Sequence, residues 1–337
     1  MIPKKLIAIL IAVVPFFITA CSDDDDDLIG LWTRVSDLDG TARSDASSFT
    51  IGNKGYIVCG FDGKNRLKDL WEYDMNGGYW TQKASLPDEA AARNSAVSFA
   101  IGDKGYMGTG YNPDEGNAYG CLGDFWEYDP AGNQWSRKAD FPGTARYGAV
   151  GFAVGGKGYI GTGYDGNYLK DFYSYNPGTN TWEQINSLIN KRQYASSFVI
   201  DDVAYVVCGM NNLEYLEEFW KFDPKEGWTQ LRDIADNSDD DYDDDYNIVG
   251  YNRVAFVIDG CAYITCGESG SIRTDTWKYY PSTDLWENVA KFKGTGRTVA
   301  VSFSNGSKGY VATGKNGTYC FDDIWTLDPY TYDDDDY

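Results

Sequence analysis

Six times along the chain a Gly-Tyr or Ala-Tyr step recurs, at Tyr56, Tyr106, Tyr159, Tyr205, Tyr263 and Tyr310. Three residues after each stands Cys or Thr followed by Gly: Cys59-Gly60, Thr109-Gly110, Thr162-Gly163, Cys208-Gly209, Cys266-Gly267 and Thr313-Gly314. Seven residues before each stands Phe49, Phe99, Phe152, Phe198, Phe256 or Phe303. An acidic residue with an aromatic two places on follows, from Asp69/Trp71 through Asp171/Tyr173 and Glu218/Trp220 to Asp323/Trp325. A further Trp closes each unit, at Trp80, Trp135, Trp182, Trp228 and Trp286, with Trp32 as the sixth. A chain so written is an array of equal modules, each unable to bury its apolar face alone.

The unit is 46 to 58 residues by Trp-to-Trp spacing. Each holds four runs of strand composition, separated by turn signals such as Asn53-Lys54-Gly55, Asp62-Gly63 and Pro177-Gly178-Thr179-Asn180. On these residues the chain resembles the kelch-repeat family over about residues 31 to 329, with Cys-Gly or Thr-Gly where that family has Gly-Gly. The resemblance implies an all-β, six-bladed propeller of four antiparallel strands per blade. The chain enters at Trp32 with a closing strand that has no preceding partners, and ends at Trp325 to Pro329 with none following. The first strand should therefore complete the last blade, which removes two free edges. The propeller is expected over residues 31–330.

Repetition also fixes how single residues should be read. The 11 Trp fall on repeat positions and point to packing rather than sugar stacking. The stretch Gly151 to Gly158 nearly spells a phosphate-binding loop, but Lys157 occupies the turn position of Lys54, Lys104 and Lys308. It reads as a hairpin turn. Cys59, Cys208 and Cys266 alternate with Thr and read as small buried side chains. Cys261 and Cys266 stand too far apart on one strand to bridge, whereas Cys121 and Cys320 lie in loops and either pair or stay free. The chain has no histidine, which excludes His-based zinc sites, Ser-His-Asp chemistry and the imidazole ligands of copper oxidases. No cofactor is expected.

The first residues read as a targeting segment: Lys4 and Lys5, the apolar run Leu6 to Phe17, then Ile18-Thr19-Ala20-Cys21. Residues 1–20 are expected to be a lipoprotein signal peptide, because Ile18 to Cys21 resembles a bacterial lipobox with Cys21 as the lipidated residue. Residues 21–30 then form an acidic tether, and their Cys-Ser-Asp-rich start resembles the surface-export signal of Bacteroidetes lipoproteins. Residues 331–337 form an acidic tail. The formal charge is −22, which disfavours nucleic acid as a partner. Much of it sits in Asp23 to Asp27, Asp239 to Asp245 and Asp333 to Asp336. Asp239, Asp241 and Asp243 lack the Gly and terminal Glu of a calcium-binding EF-hand loop, so the Asp236–Asp245 stretch reads as a solvated lid.

One face should carry function. Alternating strand direction puts the loops into strand a and between strands b and c together, and both large insertions fall there. The step from Gly110 to Asp124 takes 14 residues against 8 or 9 elsewhere, and Trp228 to Phe256 takes 28 against 16 to 19. Varied loops on a rigid scaffold are where binding concentrates. Arg43, Arg93, Arg146, Arg192 and Arg297 each precede the blade's Tyr by 13 residues. They either ring the channel mouth for an acidic ligand or bond backbone between blades. Blade 5 departs, with Gly250 at the Arg position and Arg253 three later. A second ring joins Asp62, Asn112, Asp165, Asn211, Ser269 and Asn316 to Phe61, Tyr111, Tyr164, Met210, Glu268 and Lys315. It either makes turns or offers a surface to a glycan, peptide or protein. The kelch resemblance adds an alternative: a sialic-acid mutarotase-like isomerase, with Glu268, Asp62 or Asp165 moving protons at an Arg-lined mouth.

Overall fold

The computed structural model describes residues 28–236 and 246–332. Six four-stranded antiparallel sheets stand in a ring, and no helix occurs among the described residues. Blade 1 runs outward through strands a to d, Ser47–Ile51, Lys54–Val58, Leu70–Asp74 and Tyr79–Lys83. Blade 6 takes strands a to c from Val301–Ser304, Gly309–Ala312 and Asp323–Asp328, and its strand d is Leu31–Asp37. Trp32 lies opposite Leu327 in that last pairing. The clasp expected from the unpartnered first strand is present.

The recurring residues are the joints between blades. Tyr56 stacks on Phe49 within blade 1, centroids 4.8 Å apart. Phe49 also reaches the next sheet, where a Cβ on Gly105 would stand 2.3 Å from its ring. Gly158 meets Phe99 at 2.3 Å in the same way, and Gly309 meets Phe256 at 2.0 Å. The Gly of Gly-Tyr is thus a slot for the preceding blade's phenylalanine. The Cys/Thr-Gly step is a second joint. Its Cys or Thr takes a left-handed φ of 58° to 63° in all six blades, a backbone that a Cβ makes costly by about 1 kcal/mol. The turn aims the next N–H across the gap: Gly60 donates to the Arg93 carbonyl at 2.9 Å, and Gly314 closes the circle onto Arg43 at 2.8 Å.

Gly151 to Gly158 is the hairpin between Val150–Val154 and Lys157–Gly161. The six cysteines of the described residues are free thiols, Cys121 and Cys320 included. Burial pushes the thiols of Cys59, Cys208 and Cys266 up to about 12 against the opposing charge of nearby arginines. A two-stranded neck, Ala235 opposite Asn247, carries the blade 5 insertion. The signal segment, Cys21, the Asp239–Asp245 run and the Asp333–Asp336 run lie outside the described residues.

Candidate functional site: the loop face of the channel

The five repeated arginines are fully buried at 0% exposure. Arg43 grips Asp69 with both terminal nitrogens, Nη1 to Oδ1 at 2.6 Å and Nη2 to Oδ2 at 2.7 Å. Nη1 also donates to the Cys59 carbonyl and Nε to that of Thr41, both at 2.9 Å. The Trp71 indole N–H completes the carboxylate at 2.7 Å. Arg93–Asp124, Arg146–Asp171 and Arg297–Asp323 repeat this fork. Arg192 meets Glu218 at 3.0 Å. In blade 5 Arg253 reaches Asp275 from three residues further on, at 2.9 Å, so the shifted arginine fills the same role. Burial pushes the Asp69, Asp124 and Asp323 carboxyls up, but the guanidinium hydrogen bonds and charge outweigh it and hold them below the usual range.

This corrects the picture of a guanidinium-ringed mouth. Arg43, Arg93, Arg146, Arg192 and Arg297 sit inside their own blades with their donors turned to carboxylates and carbonyls, because a buried charge must be paired. Their side chains do not bridge blades either; the main-chain carbonyls of all five, and of Gly250 in blade 5, accept those links.

What faces the axis is the second residue after each repeated arginine, and after Gly250 in blade 5. Asp45, Ser95, Gly148, Tyr194, Asn252 and Val299 all hold left-handed φ between 49° and 59°. Ser95 N–H donates to the Asp45 carbonyl at 2.8 Å, Gly148 to Ser95 at 3.1 Å, Tyr194 to Gly148 at 2.8 Å, Asn252 to Tyr194 at 3.0 Å and Asp45 to Val299 at 3.0 Å. This backbone girdle narrows the channel around a cavity of about 160 Å³. Below it a wider channel of about 430 Å³ runs between the a strands, past Ser48, Thr50 and Ser302.

Above the girdle, Ser44, Asn94, Tyr147, Gln193, Tyr251 and Thr298 pair respectively with Phe61, Tyr111, Tyr164, Met210, Glu268 and Lys315. The structure thereby joins Tyr111 and Tyr164 through Tyr147, with centroids at 5.1 and 5.6 Å. Tyr147 continues to Tyr194 at 6.1 Å, and Tyr194 to Tyr251 at 6.4 Å. The Arg66 guanidinium covers Tyr111 at 4.8 Å. Glu268 accepts the Tyr251 hydroxyl at 2.6 Å. Burial, then the neighbouring Cys121 and Tyr164, pushes the Tyr147 phenol up to about 12, so it stays protonated at neutral pH. Asp45 accepts from Ser44 at 2.9 Å and from Ser95 at 3.2 Å, and lies 3.7 Å from Lys315.

The Asx ring is mainly turn chemistry. Asp62 accepts the N–H groups of Lys64 and Asn65 at 2.7 and 2.6 Å, and Asp165 accepts that of Asn167 at 3.0 Å. Sequence reasoning missed Tyr147, Tyr194 and Tyr251. They leave no repeat along the chain: the second position after Arg (or Gly250) differs in every blade, and the first is Tyr only in blades 3 and 5.

Residues 42–87 and 145–189 match the Kelch motif. Both stretches are similar to kelch repeats. Human Kelch-like protein 21 is 36% identical over 81 residues, which is 24% of this chain and 14% of that protein. N-acetylneuraminate epimerase of Haemophilus influenzae (strain PittEE) is 27% identical over 195 residues, 56% of this chain and 45% of the epimerase. The chain thus spans less than half the length of these relatives. The solved structure of YjhT has a TM-score of 0.69 at 16% identity, covering 86% of this chain and 96% of that one, a likeness of fold. The matches support a kelch-repeat family for a propeller whose blades carry one common motif.

Proposed function

We propose that this kelch propeller is a non-catalytic recognition module that captures a glycan, peptide or partner protein on its loop face. One observation carries the reading: the tyrosines above the girdle occupy positions where blades sharing one motif diverge. Tyrosine supplies a large apolar face and a hydroxyl at low entropic cost, the composition of recognition surfaces. The rim adds exposed Tyr119, Ile189, Leu213 and Tyr319. Residues Lys4 to Cys21 support lipid anchoring through Cys21 and display on a bacterial outer membrane. Probing the purified protein on glycan and peptide arrays tests the reading. Capture that Tyr147→Ala and Tyr164→Ala abolish with only a small shift in thermal unfolding supports it; capture indifferent to both changes sinks it. Cys21→Ala should release the protein from the membrane fraction.

The similarity to N-acetylneuraminate epimerase motivates a second reading, a sugar-acid mutarotase or epimerase. Glu268 is the carboxylate set beside the tyrosines, and Arg66 and Lys315 are the cations of the mouth. Anomer exchange of N-acetylneuraminate followed by NMR decides it: a rate equal to that in buffer ends this alternative.

A further inference from the structure

Between blades 3 and 4 the loop face opens into a cleft of about 240 Å³, lined by Tyr164, Asn167, Tyr168, Lys191, Asn211 and Asn212. Tyr164 and Tyr168 stand edge to face with centroids 5.3 Å apart. Asn211 is half-buried in the wall of the cleft, and the exposed Asn167 and Asn212 stand beside it.

The long loop of blade 2 reaches this cleft. Gly166, at its edge, lies under the Tyr119 ring, which a Cβ there would approach to 2.7 Å. Tyr119 is 60% exposed, and Cys121 Sγ lies 3.6 Å from the Tyr164 carbonyl, tying the loop to blade 3. The insertion therefore delivers a third aromatic ring to the rim, which gives its extra residues a purpose.

We propose that this cleft is a subsite for a neutral saccharide. The inference rests on the loop face being a recognition surface and names the ligand class for one part of it. Aromatic faces cover the apolar side of a sugar ring, and a carboxamide offers donor and acceptor together to neighbouring hydroxyls. A single exposed lysine is the only charged group among the described lining residues, so nothing there forms the bidentate clamp that carboxylate recognition favours. The exposed amides of Asn167 and Asn212 carry both donors and acceptors, which sugar hydroxyls match.

The test is calorimetric titration of the protein with maltohexaose, cellohexaose, xylohexaose and mannohexaose, beside N-acetylneuraminate and trigalacturonate. At least one neutral hexaose should bind more tightly than both acidic sugars. Tyr168→Ala and Asn211→Ala should each weaken it about tenfold, the worth of one stacking or hydrogen-bonding contact. Lys225→Ala, on the opposite face, should leave it unchanged. Tyr168→Phe keeps the ring and serves if Tyr168→Ala fails to fold, with a smaller loss expected. Binding of none of the neutral sugars, tighter binding of the acidic ones, or indifference to both cleft variants overturns the proposal. Peptide capture without saccharide binding overturns it too, yet leaves the recognition reading standing.

Discussion

Glu218 stands where the other blades have aspartate, and one methylene alters the whole joint. Arg192 meets its carboxylate through Nη2 alone, at 3.0 Å, while Nη1 turns to the Glu218 carbonyl at 3.3 Å. Asn190 also bonds the carboxylate. The Trp220 indole nitrogen and Arg192 Nε are left buried without partners. Burial consequently pulls the Arg192 pKa down, with the Glu218 charge opposing it. Glu218→Asp should restore the fork and stabilise the fold by about 1 kcal/mol, the net worth of one hydrogen bond; a lower urea midpoint would contradict this. Arg146 and Tyr147 separate scaffold from site across one peptide bond. Arg146→Ala leaves Asp171 as a half-buried carboxylate without its fork and should cost about 1–3 kcal/mol. Tyr147→Ala removes a half-buried ring and should lower the unfolding free energy by only about 1 kcal/mol while abolishing ligand capture. Parallel urea titrations and array binding of the two variants would expose any error in that division.

At the level of the strand, the joints are close contacts between one blade's strand a and the next blade's strand b. Blades 4 and 5 carry the fully buried Ala204 and Ala262 before the Tyr, where blades 1, 2, 3 and 6 carry Gly. There the methyls pack in the same cores as Phe152 and Phe198 of the preceding blades. Introduced alone by Gly105→Ala, a methyl lands 2.3 Å from the Phe49 ring, and overpacking of this kind costs about 1–3 kcal/mol. Chemical denaturation should show that loss, and a neutral result would mean that Phe49 has room to turn away. These joints explain what could be read in advance. Phe, Gly-Tyr, Cys/Thr-Gly and the acidic-x-aromatic step recur because every blade solves the same packing problem, so strand order and the Trp32 clasp followed from spacing. The fate of Arg146 did not. Recurrence is compatible with six buried ion pairs or with a ring of donors, and only the position of Asp171 decides. Tyr147 and Tyr194 escaped notice for the opposite reason: residues that differ in each blade leave no pattern along the chain, and only the ring assembles them.

Ring closure makes the blades one cooperative body. Trp32 is 2% exposed and packs edge-on against Phe292 and Phe256, at 5.0 and 6.1 Å, while its N–H reaches the Ala290 carbonyl at 3.2 Å. Loosening any blade therefore loosens its neighbours, and the arginine forks must respond to pH together. Asp69, Asp124, Asp275 and Asp323 are the fork carboxyls whose folded values lie below the usual range, each raised by burial and lowered more by arginine. An unfolded Asp titrates near 3.9, so the stability from these pairs is complete above about pH 4 and falls away as pH drops through the lower folded values. The buried tyrosines set the opposite limit. Burial raises the phenols of Tyr56, Tyr106 and Tyr263. With the unfolded phenol near 10, stability should hold below about pH 10 and decline above it. Circular dichroism from pH 2 to 12 should give a flat plateau with one cooperative transition at the acid end. Separate acid steps, one blade at a time, would mean that the forks serve single sheets and that the ring does not couple them.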